Sequence, residues 1–129
     1  MIAGLLHRRR RGHARAKRDA NHTEIVKALE AAGCTVLDLA AVGGGCPDIL
    51  VGHGARNVLL EIKRPGVFGK KRGKVQAKTD TAQKTFRETW RGDVAVVWAV
   101  DDALRAVGLG LEARLAAIAE VEQRKKTGW

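Results

Sequence analysis

The sequence predicts a single α/β domain in which helices pack on a mixed central sheet. Three observations predict it. The length of 129 residues fits one compact domain. The apolar residue types make up 45% of the chain, which is enough for a modest core. In chain order, the apolar residues follow the patterns of a helix, three strands, a helix, a strand and further helices.

The charge pattern divides the chain into three predicted segments. Residues 1–18 carry seven cations and no acid, which predicts a basic flexible arm. This arm is either a solvated tail or a segment that grips phosphates, and the sequence leaves both readings open. The domain itself is expected over residues 19–122, followed by a polar tail over residues 123–129.

The first predicted helix follows the arm. Apolar residues between Ile25 and Ala32 recur at positions i, i+3, i+4 and i+7, as on one face of an amphipathic helix. Asn21 is the predicted N-cap, and Gly33 is placed where a helix commonly ends in a left-handed residue.

Three strands are predicted next. The first runs from Thr35 to Val42 and is followed by a turn at Gly43–Gly45. Ile49–Val51 and Val58–Arg64 are predicted as two strands of a hairpin, joined by a loop at Gly52–Asn57.

The second half of the domain begins with a glycine-rich basic stretch, Gly66–Lys78, which predicts a mobile loop. A helix is expected to begin at Asp80–Gln83, with Phe86 and Trp90 on one face and Gly92 ending it. Val94–Val100 is almost entirely apolar, as in a strand covered on both faces.

Two helices are predicted to complete the domain. Asp101 or Asp102 is expected to cap a short helix that reaches about Val107. Apolar positions at Leu111, Leu115 and Ile118 predict a last helix that ends before the polar tail.

The composition favours a nucleic-acid partner and excludes several other classes. Lys and Arg total 24 against 14 Asp and Glu, giving a net charge of +10, which a polyanion would neutralise. Aromatic residues are only 4%, so a stacking platform for single strands is not expected. The two cysteines, Cys34 and Cys46, lack zinc-site spacing. No apolar run approaches the roughly 20 residues that span a membrane, and we expect a cytoplasmic protein.

A small set of polar residues interrupts the apolar hairpin strands. Glu61 and Lys63 are two residues apart in one strand, so they project from the same face. A symmetrical hairpin register would place Asp48 opposite Glu61, with Cβ atoms about 4.5–5.5 Å apart. Two such carboxylates repel unless a cation joins them, and Mg²⁺ prefers oxygen ligands. With Lys63 beside them, these groups indicate phosphodiester hydrolysis. The alternative is an ordinary Pro47-Asp48 turn and a solvated strand face.

These residues resemble a known pattern. Pro47-Asp48 followed by Glu61-Ile62-Lys63 resembles the PD-(D/E)XK nuclease motif. The wider run is similar to the virus-type replication-repair nuclease (VRR-NUC) family: it adds Gly43–Cys46, Gln83 with Trp90, and the strand from Val94 to Asp101. The resemblance extends from Asp19 to Leu104. It implies a restriction-endonuclease-like α/β core and a DNA endonuclease that depends on Mg²⁺ or Mn²⁺.

The resemblance also implies residue roles. Asp48, Glu61 and the Ile62 carbonyl would ligate the metal, and Lys63 would be the catalytic lysine. Glu24 matches the family's acid on the first helix and would complete the metal site, although a capping pair with Asn21 is the alternative. Gln83 would lie beside the active site as a catalytic residue, and its alternative is also a helix cap.

The remaining expectations concern partners. Family members that consist of the bare domain are similar to Holliday junction resolvases and act as homodimers, so branched DNA, a homodimer and a phage or prophage origin in a bacterial host are expected. Trp98 and Trp129 are candidates for the dimer interface. ATP is not expected, because Gly69–Val75 lacks the spacing and the hydroxyl of a phosphate-binding loop. DNA phosphates would be gripped by five basic residues: Arg64, Lys70, Lys71, Arg72 and Lys74.

Two other functions stay open on the sequence. The first is a non-catalytic basic DNA-binding module. The second is a restriction or defence nuclease that cuts plain duplex DNA or RNA.

Overall fold

A computed structural model describes residues 20–64 and 74–128, without the side chains of 74–79. The described elements, in chain order, are α1 (Ala20–Ala31), β1 (Thr35–Asp38), β2 (Ile49–His53), β3 (Arg56–Ile62), α2 (Lys74–Thr89), β4 (Asp93–Val97), α3 (Val100–Ala106) and α4 (Leu111–Thr127). This is the predicted order, and the protein is an α/β structure with helices beside a mixed sheet. The predicted arm lies outside the described residues, as does most of the predicted loop after Arg64.

The sheet has four strands in the order β1-β2-β3-β4 among the described residues. The first three are antiparallel neighbours, and β4 runs parallel to β3. The hairpin register predicted from the sequence is confirmed between β2 and β3, from Ile49↔Leu60 to His53↔Arg56. The predicted loop was too long, because only Gly54 and Ala55 form the turn. Both have positive φ, 58° and 66°, which suits the twist of a two-residue hairpin turn.

One face of the sheet carries the apolar core. Helix α1 packs against α3 and α4 and also contacts β1, while α3 contacts β4. Alternate strand residues such as Ile49, Val51 and Leu60 are fully buried together with Ile25 and Leu29 of α1. Because Leu60 and Ile62 contact this core, Glu61 and the following Lys63 project from the opposite face of the sheet.

Two strands end earlier than predicted, because side chains bond to the main chain there. The first strand ends at Asp38 rather than at Val42, because the Asp38 carboxylate accepts the Ala40 N–H at 2.7 Å and turns the chain. The last strand ends at Val97 rather than at Val100. There the N–H of Ala99 donates to the Asp102 carboxylate instead of to the ladder, and the same carboxylate oxygen accepts the Trp98 N–H. Asp102 therefore lies within the first turn of α3 and organises its start.

Three helix boundaries also differ from the prediction. Asn21 is not an N-cap, because α1 already includes Ala20. Helix α2 begins at Lys74 rather than near Asp80, since no glycine or proline interrupts residues 74–89. Helix α4 continues through most of the predicted polar tail to Thr127, where Gln, Arg and Lys are good helix formers. The left-handed end of α1 at Gly33 is confirmed, with φ of 90°.

Candidate active site

The candidate site lies where β3 ends, on the face of the sheet opposite the core. Glu61 is the last residue of β3 whose side chain lies on that face, and Lys63 follows it by two positions. The Lys63 N–H donates to the Val97 carbonyl at 2.8 Å, so the lysine main chain still runs beside β4. The strand thus presents a carboxylate and an amine side by side.

Asp48 is the residue just before β2, and it lies beside the end of β3. Its N–H donates to the Leu60 carbonyl at 3.0 Å, one residue out of the register of the hairpin, as at a β-bulge. The predicted direct pairing of Asp48 with Glu61 is therefore not formed. Instead, the Asp48 Oδ2 accepts the Ile62 N–H at 2.7 Å. This bond fixes the carboxylate beside the strand that carries Glu61.

Gln83 joins the two charged residues of β3. Its Oε1 accepts a hydrogen bond from the Lys63 Nζ at 2.8 Å, and its Nε2 donates to the Glu61 Oε2 at 2.7 Å. The Lys63 Nζ lies 3.7 Å from the same Glu61 oxygen. Gln83 lies in the interior of α2, so the alternative role as a helix cap is wrong. All four residues predicted as catalytic, Asp48, Glu61, Lys63 and Gln83, meet at this edge.

A glycine allows α2 to approach the strands this closely. Gly45 has φ of 83°, and a Cβ added there would overlap the main-chain carbonyl of Ala82 and lie 3.0 Å from the Gln83 nitrogen. The loop before Asp48 therefore contacts the helix backbone at the residue that bridges the site. The Gly43–Gly45 turn was predicted, but its contact with α2 was not, because no local pattern reports contacts between distant segments.

Glu61 is held in an unusual electrostatic environment. Its side chain is only 4% exposed. Burial and, to a smaller extent, the nearby Asp48 carboxylate raise the pKa of Glu61 to about 7, although the charges of Lys63 and Arg87 partly oppose this rise. A buried carboxyl beside a second carboxylate is typical of functional sites, where such arrangements shift pKa values. Burial, followed by Glu61 and Asp48, also raises the pKa of the Cys46 thiol, which places Cys46 beside the same carboxylates.

Glu24 does not join this group. Its carboxylate forms an ion pair with Lys125 of α4. Among the described residues there is no group of three His, Cys, Asp or Glu side chains that could hold a metal ion. The alternative cap role also fails, because Asn21 lies inside α1 and its amide donates to the Lys63 carbonyl at 3.0 Å. The bond of Asn21 to Lys63 was not predicted from the sequence, because the position of Asn21 near the start of a helix was already explained by a capping role.

The predicted phosphate-gripping residues are only partly placed. Arg64 is exposed and directly follows Lys63. Lys70, Lys71 and Arg72 lie outside the described residues, and Lys74 is described only by its helical backbone. Arg87, which was not predicted, is close enough to Glu61 to lower its pKa. It follows Gln83 by four positions, and this helical spacing could have indicated it.

The oxygen donors present suit a hard divalent cation. Within the described residues, these bonds use one oxygen of each carboxylate, Asp48 Oδ2 and Glu61 Oε2, and leave the second oxygen of each for a ligand. The Ile62 carbonyl points to the same side of β3 as its N–H, which is the side where Asp48 lies. Mg²⁺ usually binds through one or two carboxylates and keeps several waters. The two carboxylates and the Ile62 carbonyl fit this mode of Mg²⁺ binding.

Comparisons with known proteins identified no related protein. No protein-family model matches the chain, and no curated protein and no solved structure is significantly similar to it. No helix in the described part of the chain has both the length and the apolar character needed to cross a membrane.

Proposed function

We propose that the chain is a metal-dependent nuclease that hydrolyses phosphodiester bonds in DNA. The observation that carries the proposal is the joined set of Asp48, Glu61, Lys63 and Gln83, with one carboxylate almost fully buried beside a second. The net charge of +10 supports a polyanionic substrate. The resemblance to the VRR-NUC family points to the same chemistry.

The two carboxylates and the Ile62 carbonyl would hold Mg²⁺ or Mn²⁺. Such an ion supplies charge stabilisation at the phosphate and lowers the pKa of a bound water. Asp48 is held for this role by the Ile62 N–H, and Glu61 by the Gln83 amide. Glu61 also gains most from a cation, because its burial otherwise disfavours its ionised form.

Lys63 would act on the reacting phosphate. Its side chain is about one-third exposed, at 34%, so the amine lies at the boundary between the buried carboxylates and solvent. From there it can donate to the attacking water or to the negative charge that develops on the phosphate. Gln83 accepts one of its hydrogens and so limits the directions in which the other two point.

The finer proposals concern substrate and assembly. We propose branched DNA as the preferred substrate and a homodimer as the acting species, on the resemblance to family members made of the bare domain. Trp98 is 47% exposed and is available as an interface residue, whereas Trp129 lies outside the described residues. A core similar to that of restriction endonucleases is part of the same proposal.

The test is cleavage of a labelled four-way junction beside a linear duplex of matched sequence, with Mg²⁺, Mn²⁺ or EDTA. We expect metal-dependent cuts by the wild type, with Lys63→Ala reducing the rate about 10²–10³-fold because it removes a donor to developing charge. Lys84→Ala is the matched control, since Lys84 is an exposed lysine of α2 that pairs with Glu88. It removes the same charge from the protein.

Each other result separates the alternatives. Equal cleavage of junction and duplex keeps the nuclease and removes the preference for branched DNA. DNA binding without cleavage in any metal refutes the nuclease and favours a non-catalytic DNA-binding module. Equal loss in both lysine variants contradicts a specific role for Lys63.

A further inference from the structure

The main chain of Lys63 is held at both its N–H and its carbonyl, although the residue follows the last residue of β3. The N–H donates to Val97 in the adjacent strand at 2.8 Å. The carbonyl accepts from the Nδ2 of Asn21 at 3.0 Å, across 42 positions of sequence, and the bond is partly buried. A side chain of α1 therefore bonds directly to the main chain of Lys63.

The sheet itself cannot supply this second bond. In the parallel register that pairs Ile62 with Val97, the next donor to the Lys63 carbonyl would be the N–H of Ala99. That N–H is directed to the Asp102 carboxylate at 3.1 Å, together with the N–H of Trp98. Because the Ala99 N–H bonds to Asp102 at the start of α3, it does not donate to the Lys63 carbonyl. The Asn21 amide donates to that carbonyl instead.

Asn21 connects Lys63 to a helix that is packed in the buried core. It lies in the first turn of α1, and the next turns of that helix contribute Ile25 and Leu29, both fully buried in the core. At the other end of the lysine, the Nζ is bound by Gln83 of α2. The residue is therefore fixed at its main chain by one helix and at its amine by another.

We infer that Asn21 is a positioning residue for Lys63, which fixes the main chain from which the amine is directed at the substrate. The inference rests on the proposed nuclease function. It assigns to Asn21 no contact with the reacting atoms, because its amide acts through the Lys63 carbonyl. Loss of the amide donor should therefore impair turnover rather than binding of DNA or metal.

The informative variant is Asn21→Asp, which keeps the shape of the side chain and replaces the donor with an acceptor that repels the Lys63 carbonyl. An acidic residue in the first turn of a helix is favourable, so α1 is expected to persist. Asn21→Ala removes the donor without adding a charge and provides a second test. The matched control is Asp93→Asn, which loosens the Arg56–Asp93 contact between β3 and β4 at the opposite end of the same strand.

We expect both Asn21 variants to lower kcat between about ten- and a hundredfold, the range typical of a small misplacement of a reacting group. The KM for DNA and the metal concentration that gives half-maximal rate should stay at wild-type values. Asp93→Asn should change none of the three. A wild-type kcat in both Asn21 variants, or equal losses in Asp93→Asn, would overturn the inference while leaving the nuclease proposal intact.

A second readout does not depend on activity. By NMR, the Lys63 main-chain amide should exchange with solvent faster in Asn21→Asp, and the Gln83 side-chain amide signals should shift, because both report the placement of Lys63. Asp93→Asn should leave these signals unchanged. Unchanged Lys63 and Gln83 signals in Asn21→Asp would refute the tether directly. A wild type that cleaves no DNA refutes the proposed function instead, so the two failures are distinguished.

Discussion

At its start, strand β3 is joined to β2 by the two-residue turn at Gly54 and Ala55, and its exposed Arg56 pairs with Asp93 of β4 at 2.9 Å. At its end, the same strand places Glu61 in a nearly closed environment, with partners that come from distant parts of the chain. The first end is fixed by local turn chemistry and an ion pair in water. The second end removes the Glu61 carboxyl from water, and a side chain from another segment of the chain bonds to it.

This difference indicates what each end is for. Exposed ion pairs contribute little to stability, and a tight turn requires nothing beyond its own residues. A buried carboxyl beside a second carboxylate opposes folding, because its ionised form is poorly solvated. Among the described residues, a carboxyl buried in this way is found at the end of β3, where Lys63 and Gln83 also meet. We therefore propose this end of β3 as the functional one.

The largest difference is expected when the same substitution is made at both ends of β3. Asp48→Asn removes a proposed metal ligand, and we expect the cleavage rate to fall at least about a hundredfold, since the ion's charge stabilisation amounts to several kcal/mol. Asp93→Asn should leave the rate unchanged and alter the free energy of unfolding by less than about 1 kcal/mol. Steady-state cleavage and urea unfolding measure both. Equal effects of the two substitutions on cleavage would remove the distinction between the ends.

The second prediction concerns stability against pH without metal. The pKa of Glu61 rises from 4.5 to about 7 on folding. Between these two pH values the folded state therefore holds a proton that the unfolded state has lost. The contribution of Glu61 to stability is therefore complete below pH 4.5 and is lost as the pH rises to about 7. The loss amounts to about 3 kcal/mol.

Glu61→Gln should remove this loss. In EDTA, the variant should gain stability over the wild type as the pH rises from 4.5 to 8, by about 3 kcal/mol, while losing nuclease activity. Glu88→Gln is the control, because Glu88 is an exposed carboxylate of α2. Urea unfolding at several pH values provides the measurement. A constant difference between Glu61→Gln and the wild type at all pH values would contradict the assigned burial of Glu61.

The third prediction tests how α2 is brought to the functional end. Gly45→Ala adds a Cβ that meets the Ala82 carbonyl, whereas Gly44→Ala has nothing within 4 Å. Both glycines have positive φ, so both variants share a backbone strain of about 1–3 kcal/mol. Only Gly45→Ala should also displace Gln83 and lower the cleavage rate. Comparing cleavage and thermal unfolding of the two variants isolates the effect of the close contact between Gly45 and α2. Identical cleavage rates and melting temperatures would show that this contact does not matter for the site.

The smallest expected effect is at Arg87. Its charge lowers the pKa of Glu61, so Arg87→Ala should raise that pKa and move the pH-dependent loss of stability to higher pH. Arg91→Ala, which removes an equal charge from a residue just beyond α2, should not. The pH dependence of the melting temperature in EDTA measures the shift. A shift of the same size in both variants would show a general effect of net charge.

Much of the functional end could be predicted from the sequence. Glu61 and Lys63 share a face because strands alternate, and the hairpin register followed from the turn residues. Gln83 was identified only through the family resemblance. The sequence could not show that Asp48 leaves the ladder by one residue, because a bulge depends on the bonds of both strands.

Two expectations for residues of α1 differ from the structure. Asn21 was taken for a helix cap because that assignment considers only the neighbouring residues, and Glu24 was expected as a ligand because it matches the acid that the family resemblance places on the first helix. In the structure, Asn21 bonds to Lys63 and Glu24 pairs with Lys125, and both partners are far away in the sequence. The start of α2 was misplaced for a related reason, since the density of glycine and lysine before it obscured a run of good helix formers. Local patterns predict elements better than they predict the bonds between elements.

A metal site at this end of β3 is tested most simply by thermal unfolding at pH 8 in EDTA and then with added Mg²⁺ or Mn²⁺. A cation held by Asp48 and Glu61 stabilises the folded state by mass action, so the melting temperature of the wild type should rise with metal concentration. Glu61→Gln should melt higher than the wild type in EDTA and should not respond to metal, whereas Asp93→Asn should respond as the wild type does. A wild type that ignores both metals, or a Glu61→Gln variant that responds fully, would contradict a metal site at this end of β3.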